Sequence, residues 1–96
     1  MRIRFTPSAE RQLDAALEYI RRDRPTAAAA YSQKARKRLK RLKDFPNSGR
    51  KVPEYPSDSV REVIVSPYRF FYQQRDDGIW ILAVWHEAQL PEDPLG

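Results

Sequence analysis

Tyr68-Arg69-Phe70-Phe71-Tyr72-Gln73-Gln74-Arg75-Asp76-Asp77-Gly78-Ile79-Trp80-Ile81-Leu82-Ala83-Val84-Trp85-His86 is the stretch from which the fold follows. Asp77-Gly78 is a strong two-residue hairpin signal, because both turn positions can take positive φ. The run from Ile79 to His86 is the most apolar in the chain and predicts an inner strand, covered on much of both faces. Tyr68, Phe70 and Tyr72 fall on one face of the other arm, where core packing is the expected role. Trp80 and Trp85 have opposite parity, so at least one belongs to the core. Upstream, Val60 to Ser66 alternates and is β-branched, and Pro67 parts it from the hairpin. Three consecutive strands forming an antiparallel meander are therefore expected.

Moving outward, the pattern changes from period two to period 3.6. Ile3-Arg4-Phe5 reads as a short strand ended by Thr6-Pro7, a helix cap followed by a proline at the first helical position. Ala9, Leu13, Ala16, Leu17 and Ile20 give a helix from Ser8 to about Asp23, and Pro25 breaks it. Ala28, Tyr31, Ala35, Leu39 and Leu42 give a second helix to about Asp44, so the two form an antiparallel hairpin. Pro46, Gly49, Pro53 and Pro56 make the segment to about Ser59 a loop, and the tail from Leu90 reads as irregular. The expectation is one α+β domain over residues 1–96. Its N-terminal strand and helical hairpin pack on a small, mainly antiparallel sheet completed by the C-terminal meander.

Composition narrows the class. With 96 residues, 41% of them hydrophobic, the chain can build one core. No run approaches the roughly 18 apolar residues of a membrane span, and Met1-Arg2-Ile3-Arg4-Phe5 has no apolar leader behind it. A cytoplasmic location is expected. There is no cysteine and a single histidine, which excludes a disulfide framework and the usual zinc clusters, and no cofactor is expected. The net charge is +5, yet residues 34 to 43 carry seven cations and no acid, so the remainder is mildly acidic. Such a segment either solvates a helix face or attracts phosphate or an acidic protein.

One constellation carries chemistry. With Asp77 and Gly78 as the loop, Arg69 and His86 lie directly opposite, Cβ atoms about 5 Å apart. Moving the loop back one residue leaves them diagonal on the same face, whereas a bulge or a three-residue loop would separate them. Glu54 is the nearest acid that the loop could supply. Together they would suit metal-independent RNA cleavage, with Arg69 stabilising phosphate charge while His86 and Glu54 move protons. Set against this, a lone histidine at a strand end serves structure more often than catalysis, and Arg69 could simply pair with Glu62.

The order of these pieces resembles a known family. Leu42-Lys43-Asp44-Phe45-Pro46-Asn47-Ser48-Gly49-Arg50, then Arg61-Glu62-Val63, Tyr68 to Tyr72 and Ile79 to His86 are similar to the "L…P..GR" and "RE…YR..Y…I.IL.V.H" passages of RelE/ParE toxins. The resemblance covers Ile3 to about Gln89. It implies a toxin of a type II toxin–antitoxin system, neutralised in a heteromeric complex by a cognate antitoxin. ParE-like members act on DNA gyrase without being enzymes; RelE- and YoeB-like members cleave mRNA on the ribosome. Glu54, Arg69 and His86 fall where a YoeB-like nuclease places its acid, arginine and histidine. The long helical hairpin and the His86 ending look more like ParE, and acids follow the last strand where a nuclease would need cations. Gln89 stands where ParE proteins commonly carry an arginine. In this frame the basic helix, Lys34 through Lys43, would dock an acidic antitoxin segment, with Lys34, Arg38 and Arg41 as its leading cations and Tyr31, Leu39 and Leu42 beneath. A plain nucleic-acid-binding module using residues 34 to 43 is the third reading.

Overall fold

A computed structural model describes residues 2–55 and 59–89; the tail read as irregular and Pro56 of the loop lie outside them. The order is β1 (Arg2–Phe5), α1 (Pro7–Asp23), α2 (Pro25–Lys40), a 3₁₀ turn (Arg41–Lys43), β2 (Arg50–Lys51), β3 (Val60–Val65), β4 (Tyr68–Arg75) and β5 (Gly78–His86). The sheet runs β1-β5-β4-β3-β2, antiparallel except for β1, which lies parallel to β5. As expected, the apolar run is an inner strand. Two features differ from the sequence reading. A two-residue strand, β2, forms in the loop, and α2 gives way to a 3₁₀ turn after Lys40.

Local chemistry sets the helix ends. The Thr6 hydroxyl accepts the Ala9 N–H at 3.2 Å, with Pro7 opening the first turn. Arg24 alone joins the helices, held extended at φ −143° and ψ 102° because the following proline disfavours the helical region. α2 then runs back along α1: Leu17 and Arg21 share a cleft with Pro25 and Ala28, and Leu13 shares one with Ala35 and Leu39. Small residues face inward at Ala9, Ala16 and Ala35, letting the helices sit close to the sheet. Val63, Val65, Tyr68, Phe70, Tyr72, Ile79, Ile81 and Val84 meet them there. The opposite face carries a smaller cluster, in which Val52, Val60, Phe71 and Ala83 pack beneath Tyr55, Leu82 and Trp85.

Two departures in the hairpin decide where side chains point. The loop is Asp76-Asp77, one residue earlier than read, with Arg75 opposite Gly78. Gly78 sits at φ +141°, and a Cβ there would lie 2.3 Å from the Arg2 carbonyl oxygen, so the glycine serves the close approach of β1. Farther along, Tyr72 faces Ile81 while Phe71 faces Ala83, making Leu82 an extra residue. This bulge lies where β1 ends. The Thr6 N–H donates to Ile81 O at 3.0 Å and its hydroxyl to Leu82 O at 3.2 Å, so α1's cap satisfies the carbonyls that the disrupted ladder exposes.

Candidate functional site

Past the bulge, Arg69 faces Trp85, and His86 faces Tyr68. Because facing residues share a side, Arg69 joins the open face and His86 the helix-covered one, where it meets the edge of Tyr68 with ring centroids 5.3 Å apart. The direct cross-strand pairing of Arg69 with His86 is therefore corrected: the bulge separates them.

Glu54 does reach Arg69. Its carboxylate accepts from both terminal guanidinium nitrogens, at 2.7 and 2.8 Å. Arg69 Nη2 also donates to Glu62 at 2.5 Å, and Arg50 donates to the other Glu62 oxygen at 2.8 Å. The result is an alternating chain, Arg50–Glu62–Arg69–Glu54, in which the Glu62 side chain is fully buried and that of Arg69 nearly so. The guanidinium lies over the Phe71 ring at 4.9 Å. The hydrogen bonds from Arg69 are the main cause that lowers the Glu54 pKa from 4.5 to about 2. A lowered carboxyl pKa stabilises the fold above the unfolded value, and that stability is lost as pH falls towards the folded one. Unfolding of the Glu54→Gln variant should therefore depend less on pH than that of the parent between about 4.5 and 2. Parallel urea titrations across that range check it, and equal slopes would contradict it.

The same network explains the passages that carried the family resemblance. The Tyr72 hydroxyl donates to Pro46 O at 2.7 Å and accepts the Gly49 N–H at 2.9 Å. Arg61 donates to Gly49 O at 3.0 Å. A Cβ on Gly49 would fall 2.5 Å from the Tyr72 ring. Gly49, Arg50, Arg61, Glu62, Arg69 and Tyr72 thus tie the loop after α2 to the sheet. Their visible work is structural.

The helical hairpin offers a different feature, a groove of about 410 Å³ between α1, α2 and β1. Ile3, Phe5, Leu13, Leu17 and Phe70 make it apolar, and Arg36, Lys40 and Lys43 stand along one side with Asp14 also at the rim. Of the residues proposed from sequence for antitoxin contact, Leu39 lines this groove. Tyr31 and Leu42 are core: the Tyr31 hydroxyl donates to Val65 O at 2.6 Å, and Leu42 is fully buried. Burial raises the Tyr31 pKa well above its ordinary value. Lys34 and Arg41 are exposed and do not line the groove. Arg38 is half-buried, with its Nη1 shielded from solvent and without a hydrogen-bond partner. Sequence reading held Arg36, Lys40 and Lys43 within the run Lys34 through Lys43 but did not single them out, although their four- and three-residue steps put them on one helix face. It read Leu13 and Leu17 only as core.

A helical hairpin on one face of a five-stranded sheet, closed by a parallel N-terminal edge strand, is the RelE/ParE-like toxin fold. The chromosomal ParDE toxin–antitoxin system from P. aeruginosa contains a chain of this shape. It superposes with a TM-score of 0.73 at 21% identity, over 90% of the present chain and 95% of that one. No curated protein matches the chain. A family model described as the ParE toxin of the type II toxin–antitoxin system, parDE, matches residues 3–91. The chain belongs to the ParE toxin family.

Proposed function

We propose that this chain arrests growth by poisoning DNA gyrase, as a protein inhibitor and not as a nuclease, and that a cognate antitoxin neutralises it from the hairpin groove. One observation carries the choice of mechanism. Both terminal nitrogens of Arg69 are held by Glu54 and Glu62 on the sheet face opposite His86, so the arginine and the histidine do not converge on one phosphodiester. The deciding experiment follows DNA breakage and message integrity together in cells expressing the chain under tight control. Gyrase-dependent breaks with intact message are expected. Message cut on the ribosome with intact DNA would overturn the reading.

The groove gives the antitoxin its chemistry: an apolar stripe to lie on Leu13, Leu17 and Phe5, flanked by acids towards Arg36, Lys40 and Lys43. Reversing two of these charges, Arg36→Glu with Lys40→Glu, is expected to weaken antitoxin binding by about tenfold or more, chiefly through slower association at low salt. Calorimetric titration at two ionic strengths checks this, and an unchanged affinity would mean the cations only solvate the helix.

A further inference from the structure

α1 borders a second cleft whose chemistry is unlike that of the groove. Leu13 and Leu17 face the groove, whereas Gln12, Ala15, Ala16 and Tyr19 line a cleft of about 390 Å³ against the far end of β5. Aromatic rings form much of its wall: Tyr19, which is 69% exposed, with Tyr68 and His86; Trp85 borders the cleft too, although its side chain packs on the opposite sheet face.

The polar groups in this cleft are oriented by the backbone. Gln12 Oε1 accepts the Val84 N–H at 2.7 Å, and Gln89 Oε1 accepts the His86 N–H at 2.7 Å. A backbone N–H needs an acceptor, so each amide is held by its oxygen, and neither –NH2 donates to a group among the described residues. His86 Nδ1 accepts the Ala88 N–H at 3.0 Å, which leaves Nε2 as the proton-bearing nitrogen of the neutral ring. Two carboxamides and an imidazole therefore present donors beside apolar rings. Among the described residues no lysine or arginine lines the cleft, and the neighbouring Glu87 carboxylate is engaged by the Ser66 hydroxyl.

We propose that this cleft is the face that grips the toxin's target protein. It fits a segment that lays an apolar side chain against the rings and brings carbonyl oxygens to Gln12, Gln89 and His86. Exposed aromatic residues of this kind anchor protein interfaces, and the lack of cations disfavours a phosphate backbone. The basic groove suits an acidic partner and the uncharged cleft does not, so the two sides of α1 serve two partners. The target is gyrase under the reading above, on which this assignment rests.

The test uses the whole chain, purified gyrase holoenzyme and a growth assay, with Ala15→Arg to fill the cleft and Tyr19→Ala to remove its exposed ring. Both variants should lose about tenfold or more in gyrase affinity and in growth arrest, with thermal melting close to the parent's. If Ala15→Arg fails to fold, Tyr19→Ala, a truncation at an exposed position, decides. Variants that bind and arrest growth like the parent overturn the proposal. A parent that arrests growth without binding gyrase overturns the gyrase reading alone. The cleft is then judged on arrest, where loss in the variants upholds it and retention sinks it. A parent that does neither overturns both, and binding of single-stranded DNA that Tyr19→Ala abolishes would reassign the cleft to nucleic acid.

Discussion

Replacing Arg69 by alanine is expected to cost about 3–5 kcal/mol of stability, the range found when one partner is removed from a buried ion pair. The guanidinium is nearly enclosed, and its loss strands the fully buried Glu62 beside Phe71 and unties Glu54 from the sheet. Among the described residues Glu62 then keeps Arg50 alone, whose side chain is 58% exposed, so compensation from that side is weak. The double change Arg69→Ala with Glu62→Ala should cost much less than the two single changes added together, because neither charge is then left alone. Urea unfolding of the four proteins measures this directly. Additive losses would show that the carboxylate and the guanidinium do not depend on each other. The result bears on function as well. A toxin that loses activity on Arg69→Ala cannot be assigned a catalytic arginine until its folded fraction is known.

Gly78→Ala is the second change with a large expected effect. Alanine at φ +141° is strained, and its methyl group would meet the Arg2 carbonyl oxygen at 2.3 Å and the Arg2 nitrogen at 2.9 Å. Strain at such positions costs about 1–3 kcal/mol, and β1 must also move, since Arg2 lies opposite Gly78 in the parallel pair. Displacing β1 shifts Ile3 and Phe5, which wall the hairpin groove. Antitoxin affinity should therefore fall along with the melting temperature, although residue 78 is no part of the groove. A variant that melts lower but binds antitoxin as before would separate the groove from β1.

Most of the architecture was legible because it rests on patterns short enough to read locally. Thr6-Pro7, Pro25 and the alternation from Val60 to Ser66 each fix a boundary through one or two residues. What escaped depends on contacts far apart in sequence. The Leu82 bulge exists where α1's cap reaches across to β5, and nothing within the hairpin itself announces it. That one extra residue separates Arg69 from His86, so the candidate catalytic site was the part least open to sequence. The Arg69–Glu62 pairing could be read, since adjacent strands of a meander bring such residues together; Glu54 required the loop to fold over the open face. The basic run was visible as charge but not as faces: Tyr31 and Leu42 went inward, and the cations lining the groove were others in the same run.

The pairing of β1 with β5 joins positions as much as 76 residues apart, and β5 lies between β1 and β4. During synthesis β5 therefore emerges after every element that packs on it. A nascent chain stopped before Gly78 lacks the floor beneath α1 and the strand that holds β1, so its groove and its aromatic cleft both lack a wall. Premature termination upstream of that strand is therefore expected to yield a chain that neither binds antitoxin nor arrests growth.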